Sequence, residues 1–303
     1  MLKSLNTLAE VVSVFKDEDT CMRYLEKRIW HDKPVSPFDK ESKVYKCQGH
    51  MYKCRNTGKL FNVRYGTMFH RSSVPLQKWF IAIWLFMHHR KGISSVQLSK
   101  DIGVTQKTAW NMLHRIRECF GDVNGTKLDG VVQIDETFVG GKNKNRHWDK
   151  KVKNSQGRSF KDKTPVFGML QQKGKVVAKV VKDTKAGTLR KEINKTIRAG
   201  STVFSDEWNY GNLNRKYNHS FVDHKRKQYV SGEVTTNGIE SFWATLKRGI
   251  IGIYHHVSRK YLQRYVDEFV FRYNTRNFEP QNNFGLFLRN TRYVKLKNLT
   301  YAC

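Results

Sequence analysis

One β-rich stretch, residues 131–139 (VVQIDETFV), constrains the fold of this chain more than any other feature. Its β-branched and aromatic residues are typical of a strand inside a sheet. Two adjacent carboxylates, Asp135 and Glu136, interrupt the apolar pattern. Burying a carboxylate is unfavourable by several kcal/mol unless a positive group compensates it. The sequence therefore predicts a compensated site on this strand, and a divalent cation would supply the compensation.

The segments that follow predict a mixed α/β sheet. Residues 164–181 indicate a hairpin with Gly174 in its turn, and residues 188–197 a short amphipathic helix. Residues 201–206 indicate another strand, which ends at Asp206, and residues 237–274 are largely helical. The order strand, hairpin, helix, strand, helix is typical of an α/β architecture.

Three acids occupy positions where solvation is poor: Asp135, Asp206 and Glu240. Each one alone is better explained as a structural residue in a salt bridge. Together they offer the hard oxygen ligands that Mg²⁺ prefers, and two such ions about 4 Å apart support in-line phosphoryl transfer. Lys247 lies two helical turns after Glu240 on the same face, where its ammonium would meet a phosphate.

Residues 93–117 predict two helices around a turn at Gly103, with Thr105 as the N-cap of the second helix. This pattern is typical of a helix-turn-helix, and its alternative is an ordinary antiparallel helix pair in a bundle. Four polar side chains are expected to face DNA: Gln106, Lys107, Asn111 and His114. Three apolar ones are expected to pack inward: Trp110, Leu113 and Ile116.

Charge favours nucleic acid as the partner. The chain has 56 Lys and Arg against 26 Asp and Glu, which gives a net charge of +30. This excess is larger than solubility requires and indicates a polyanion. The longest apolar run, residues 79–87, is too short for a membrane span of about 20 residues. Five scattered cysteines and the absence of a secretion signal in residues 1–12 favour a reducing, cytoplasmic location.

Several longer motifs occur in a specific order: GTMFHRSSVPLQKWF, IDETFVGGK, KTPVFGML, FSDEW and TTNGIESFWATLKRG. Together with the spacing of the acids and Lys247, they resemble the ISXO2-like transposases of the IS1595 group over roughly residues 20–290. The resemblance implies an RNase H-like core of the DDE superfamily that uses Mg²⁺, with Mn²⁺ as a substitute. It also implies a DNA transposase that binds the terminal inverted repeats of an insertion sequence, cleaves their 3′ ends and joins them to target DNA.

Carried onto this sequence, the resemblance makes Asp135 and Asp206 the first two metal ligands and Glu240 the third. Asn237 lies one helical turn before Glu240 and is the alternative third ligand. A carboxylate is favoured because it contributes charge to Mg²⁺ that an amide cannot. Glu136 and Glu207, next to the two aspartates, are expected to point away from the metal, since neighbouring strand residues face opposite sides.

The implied partner is double-stranded DNA, both element ends and target. Lys247 and Arg248 would contact it from the helix that carries Glu240. A basic loop at 142–163, with Lys142 and Lys144, would contact target DNA or a second end. A homodimer or higher homo-oligomer is implied because two ends must be held together. The expected location is the bacterial cytoplasm, on the nucleoid.

The N-terminal zinc ribbon of these transposases is altered in this sequence. Its two Cys-x-x-Cys knuckles align with residues 36–39 and 54–57, where only Cys54 remains. Cys47 and His50 offer a compensating pair, but a structural zinc site normally has four Cys or His ligands at knuckle spacing. We therefore expect no zinc. Three aromatic residues are expected to keep the ribbon shape: Tyr45, Tyr52 and Phe61.

These expectations divide the chain into four parts: a helical cap at 1–32, a degenerate zinc-ribbon-like module at 33–74, a helix-turn-helix domain at 75–124 and an RNase H-like DDE domain at 125–303. Two other functions stay open. A catalytically inactive or domesticated transposase would bind DNA without cutting it. A host RNase H-like nuclease or resolvase would cut without joining, although such an enzyme has little need of a helix-turn-helix.

Overall fold

The computed structural model describes residues 5–31, 33–120, 127–140, 147–152, 163–206, 210, 213–221, 235–278, 284–285, 287–288 and 291. The chain forms two compact units, one of Met1–Phe120 with Asn277–Cys303 and the other of Gly121–Arg276. The second unit therefore ends earlier than the predicted domain at 125–303. The physical reason is aromatic packing within the first unit, where Phe284 lies 6.2 Å from Phe15 and 6.0 Å from Phe80 between ring centroids.

The first unit begins with two capped helices, α1 (Leu8–Val14) and α2 (Glu18–Trp30). Thr7 and Glu10 form a reciprocal capping box on α1. The Asp17 side chain accepts a hydrogen bond of 2.7 Å from the Thr20 N–H at the start of α2. Two helices thus occupy the stretch for which the sequence predicts a helical cap.

A small antiparallel sheet follows, with strand order β1 (Val44–Lys46), β2 (Tyr52–Cys54) and β3 (Leu60–Phe61). Tyr52 and Phe61 are buried and pack against Trp30, as expected for a ribbon held by aromatic residues. The expectation for Tyr45 is wrong, because this side chain is 51% exposed. It pairs with exposed Lys53 across the strands, so both side chains lie on the outer face.

Three more helices complete the described core of this unit: α3 (Leu76–His88), α4 (Ser95–Ile102) and α5 (Gln106–Glu118). Helix α4 ends at Gly103, whose φ of +60° suits a residue without a Cβ. Helix α5 begins after Thr105, whose hydroxyl accepts from the Thr108 N–H at 3.2 Å. The predicted helix, turn and helix are confirmed as structural elements.

The second unit is built on a five-stranded mixed sheet in the order β6-β5-β4-β7-β8. The strands are β4 (Val131–Val139), β5 (Thr164–Gln171), β6 (Val176–Val180), β7 (Thr202–Ser205) and β8 (Asn218–Phe221). Strands β4, β5 and β6 are antiparallel neighbours, whereas β4, β7 and β8 are parallel. This topology confirms the predicted mixed α/β sheet and places β4 at its centre.

Helices cover both faces of this sheet. Helix α6 (Ala186–Thr196) shares one core with Val132 and Ile134 of β4. Helices α7 (Asn237–Gly249) and α8 (Leu262–Asn274) share the other core, on the opposite face. Shorter helical segments occur at Trp148–Lys150, Leu213–Arg215, Ile250–Tyr254 and Arg259–Tyr261. Within the described segments, no helix has both the length and the apolar content that a membrane crossing requires.

Candidate metal centre

The central strand β4 presents its two carboxylates to opposite faces of the sheet. Ile134 points into the α6 core, and the next even position, Glu136, shares its side. Gln133 points toward α7, where its Oε1 accepts a hydrogen bond of 3.0 Å from the Ile239 N–H. Asp135 shares that side, which places it under helix α7.

Asp135 is held by two donors. The indole Nε1–H of Trp243 on α7 donates to its Oδ2 at 3.0 Å. The backbone N–H of Glu136 donates to its Oδ1 at 2.7 Å. These bonds fix the carboxylate at the edge of the α7 core, where it is largely removed from water.

Asp206 follows β7 directly, at the point where that strand ends next to β4. The parallel register pairs Gln133 with Phe204, so Asp135 and Glu136 extend past the end of β7. One carboxylate oxygen each of Asp135, Glu136 and Asp206 lies within 4.8 Å of the others. The expectation that Glu136 points away from this site is therefore wrong. Beyond Gln133, β4 has no paired neighbour in β7. The side chains of Asp135 and Glu136 can therefore both turn toward Asp206 at this open edge.

Electrostatics make this cluster unfavourable without a counter-ion. Burial, the charge of Asp206 and the charge of Glu136 raise the pKa of Asp135 to about 8, although its two hydrogen-bond donors oppose the shift. Buried Tyr210 lies beside the same acids, and its pKa is raised well above the usual value by burial and by the charges of Glu136 and Asp206. Three crowded oxygen donors with excess negative charge fit a hard divalent cation such as Mg²⁺.

The predicted third ligand lies apart from this cluster. Glu240 is exposed in the first turn of α7, and its Oε1 accepts a hydrogen bond of 3.1 Å from the Thr236 hydroxyl. Asn237 is also exposed, at the first position of the helix. Among the described residues, the carboxylates that the structure brings together are Asp135, Glu136 and Asp206.

Comparison with known proteins identifies the family. A family model for the ISXO2-like transposase domain matches residues 127–274, which include the acidic cluster. A protein from Halobacterium salinarum, described as an uncharacterized protein in transposable element ISH50, is 30% identical over 233 residues. That alignment covers 73% of this chain and 77% of the relative. The chain belongs to the ISXO2-like transposase family.

Solved transposase structures are more distant from this family member. A chain in the crystal structure of the Mos1 strand transfer complex is 11% identical, with a TM-score of 0.30 over 71% of this chain and 75% of that one. A chain of a pre-cleavage Mos1 transpososome is 12% identical, with a TM-score of 0.26 over 97% and 98%. Scores of this size do not establish a common fold.

The residues predicted to contact DNA differ in accessibility in this ISXO2-like chain. Gln106 and Lys107 are exposed in the first turn of α5, and Asn111 is half-buried. The expectation for His114 is corrected, because its side chain is only 1% exposed and packs against the ring of Trp110 at 4.0 Å. Leu113 and Ile116 are buried as expected, and Trp110 is half-buried.

The basic residues predicted on the transposase domain are described only in part. Lys247 and Arg248 are exposed in the last turn of α7, and Arg248 Nη2 donates to the Thr245 hydroxyl at 3.2 Å. Lys142 and Lys144 lie outside the described residues, as do most of loop 142–163 and Glu207.

The positions aligned with the zinc knuckles form a hydrogen-bonded cluster around Cys54. This thiol is buried, 3.3 Å from the Ser42 hydroxyl. Burial raises the pKa of Cys54, but hydrogen bonds with Ser36, Ser42 and Thr57 outweigh it and lower the pKa to about 6. Asp39 accepts a hydrogen bond of 2.7 Å from the Asn56 amide. These side chains therefore satisfy one another within the ribbon.

His50, from the compensating pair, is engaged elsewhere. Its two ring nitrogens lie 2.9 Å from Glu26 Oε1 and 2.9 Å from Asp19 Oδ1, both on α2. Burial alone would lower the pKa of His50, but the contacts with these two carboxylates raise it overall. This histidine therefore links the β1–β2 turn to helix α2.

Sequence reasoning missed three functional candidates. Glu136 is adjacent to Asp135, so its place in the cluster depends on where β7 ends, which a strand pattern does not reveal. Trp243 is one turn after Glu240, and its helical spacing predicts only a core residue. Tyr210 carries no sequence signal, since the residues around it follow neither a helical nor a strand pattern.

Proposed function

We propose that this chain is a DNA transposase that binds the terminal inverted repeats of its insertion sequence and performs metal-dependent cleavage and joining of their 3′ ends. The observation that carries the proposal is the convergence of Asp135 and Asp206 within the segment that matches the ISXO2-like transposase domain. An RNase H-like core is the architecture consistent with one acid inside central strand β4 and another directly after its parallel neighbour β7.

Asp135, Asp206 and Glu240 are the proposed catalytic residues, with Mg²⁺, or Mn²⁺ as a substitute, as the cofactor. A bound divalent cation would activate the attacking oxygen and stabilise the leaving oxygen of phosphoryl transfer. Trp243 would hold one oxygen of Asp135, which leaves its other lone pairs to bind the ion. Glu240 lies one helical turn before Trp243, so its backbone stands close to the acids.

The DNA partner is proposed from charge and exposure. The chain carries a net charge of +30, and binding a polyanion releases counter-ions in proportion to the phosphates neutralised. Exposed Gln106 and Lys107 begin helix α5, the proposed recognition helix of a helix-turn-helix. Lys247 and Arg248 would contact phosphates near the metal centre. We also propose a homo-oligomer, because one reaction must bring two DNA ends together.

A strand-transfer assay tests this function. Labelled DNA with the element's own ends is incubated with Mg²⁺ or Mn²⁺ and with wild type, Asp135→Asn, Asp206→Asn, Glu240→Gln or Asn237→Ala. Glu192→Gln, a partly exposed carboxylate on α6, is the matched control. Wild type and control should join ends, whereas the three acid variants should bind DNA without joining it. Activity of Glu240→Gln together with loss in Asn237→Ala would instead make Asn237 the third ligand.

One observation favours a second function, an inactive DNA-binding relic of a transposase. Glu240 engages Thr236 and lies outside the carboxylate cluster, so the proposed triad is incomplete in this arrangement. Wild-type protein that binds the element ends tightly but neither nicks nor joins them with any divalent cation would support this alternative and overturn the transposase proposal.

A further inference from the structure

Tyr210 places a buried phenol beside the acidic cluster. Its side chain is 2% exposed and belongs to the core on the α6 face of the sheet. The ring centroids of Phe167 and His219 each lie 6.3 Å from that of Tyr210. The position of the ring is thus set by packing within this core.

This hydroxyl makes no hydrogen bond of standard geometry within the described part of the chain. An unpartnered buried hydroxyl is unfavourable by about 1–3 kcal/mol, so its presence calls for an explanation. Burial and the charges of the neighbouring Glu136 and Asp206 carboxylates raise the pKa of this phenol. The phenol is therefore a buried hydrogen-bond donor beside the acidic cluster.

The arrangement mirrors the one on the other face of β4. There, the Trp243 indole donates to Asp135 from helix α7. An aromatic donor thus lies on each side of β4: Trp243 is bonded to Asp135 on one side, and Tyr210 lies in the core on the side of Glu136. Donors that fix the orientation of ligating carboxylates are a regular feature of metal sites.

We infer that Glu136 is a ligand of the metal centre, and that Tyr210 is the positioning residue that holds its carboxylate toward the ion. The inference rests on the proposed metal-dependent function and extends it. Asp135, Asp206 and Glu136 then form a preassembled site for one ion before DNA binds. Glu240, which lies apart from them, joins when DNA and metal are both present.

Mn²⁺ binding to the full-length chain without DNA tests the inference, measured from the electron paramagnetic resonance signal of free Mn²⁺. Tyr210→Phe should weaken binding by about tenfold to a hundredfold, the usual loss when the hydrogen-bond partner of a ligand is removed, and Glu136→Gln should weaken it at least as much. Glu136→Asp should recover part of the affinity, because it keeps a carboxylate. Glu240→Gln should bind like wild type in this DNA-free experiment.

Two controls separate positioning from folding. Tyr217→Phe removes the hydroxyl of another largely buried tyrosine in the same core. This hydroxyl donates a hydrogen bond of 3.1 Å to Asn194 Oδ1 and not to the acids. It should lower thermal stability without changing Mn²⁺ affinity. Glu192→Gln should change neither quantity.

The outcomes distinguish this inference from the function on which it rests. If Asp135→Asn abolishes Mn²⁺ binding while Glu136→Gln and Tyr210→Phe bind like wild type, the inference fails and the transposase proposal stands. If the wild-type chain binds no Mn²⁺ and transfers no strand, the proposed function fails and the inference fails with it.

Discussion

Two clusters of potential metal ligands in this chain have opposite electrostatic characters. In the ribbon, Cys54 is surrounded by hydroxyl groups, and Asp39 is bonded to Asn56. At the end of β7, the carboxylates of Asp135, Glu136 and Asp206 crowd together, and burial with the charges of the other two raises the pKa of Asp135 to about 8. Polar groups in the first cluster are satisfied by one another, whereas those in the second repel one another.

The difference teaches how to judge a metal site from its protein atoms. A cluster whose donors and acceptors match is stable as protein alone, because each buried polar group has a partner. A cluster of like charges needs an ion or protons, because neutral donors such as the Trp243 indole do not cancel the repulsion between carboxylates. Whether a cluster holds a metal ion is therefore indicated better by the charge balance among its residues than by its alignment with a known metal motif.

The largest expected effect concerns catalysis. Asp206→Asn should lower the strand-transfer rate by about a thousandfold or more, because removing a ligand forfeits several kcal/mol of charge stabilisation. Cys54→Ala, measured in the same assay at a temperature where it is folded, should keep the metal requirement of wild type. Comparable losses of strand-transfer rate in the two variants would mean that the ribbon cluster and the acidic cluster do not differ in their importance for catalysis.

The second prediction concerns pH and metal. The folded-state pKa of Asp135 lies above the ordinary carboxyl value, so its contribution to the stability of the metal-free protein is present at low pH. That contribution is lost as pH rises from about 4 to about 8. Mn²⁺ binds the charged form, so the increase in Tm on adding Mn²⁺ should grow across this window. Scanning calorimetry with and without Mn²⁺ measures it, and a Tm shift that is constant with pH would contradict the raised pKa.

A third, smaller effect is expected in the ribbon. Cys54→Ala should lower the free energy of unfolding of the first unit by about 1–3 kcal/mol, because it leaves buried hydroxyls without their partner. Cys47→Ala is the matched control, since Cys47 is only half-buried. Urea unfolding with and without a chelator measures both quantities. A chelator effect on wild-type ribbon stability would show that this cluster does hold a metal.

The smallest effect is expected at His50. Contacts with Glu26 and Asp19 raise the pKa of His50, so its charged form stabilises the fold below the ordinary histidine pKa. That stabilisation is lost as pH rises through the raised value. His50→Gln should therefore lower unfolding free energy by about 1 kcal/mol at pH 6 and by less at pH 8.5. Equal losses at the two pH values would mean that the contact acts by packing rather than by charge.

Much of the fold is readable from local patterns. The helix at 106–118 follows from its Thr105 cap and the Gly103 turn, and β4 follows from its β-branched residues. Burial of His114 is not readable in this way, because a polar residue on a helix gives no sign of the aromatic partner that covers it. Helix spacing likewise predicts where Glu240 lies but not that its carboxylate bonds to Thr236.

The membership of the acidic cluster depends on a long-range feature. Strand alternation predicts that Asp135 and Glu136 separate, and they do lie on opposite faces. Their oxygens still converge with Asp206, because β7 stops at Ser205 and leaves the edge of β4 open. The length of a neighbouring strand, set by residues far along the chain, therefore determines which carboxylates can meet.

Gly168 shows how a residue without functional groups can influence charge. It lies directly opposite Asp135 in the pairing of β4 with β5, and a Cβ at this position would overlap the indole of Trp243. The missing side chain leaves the room in which that indole reaches the Asp135 carboxylate. Gly168 therefore acts as a spacer that sets the height of helix α7 above the sheet. The proton affinity of Asp135, on the neighbouring strand, therefore depends on Gly168 having only a hydrogen atom as its side chain.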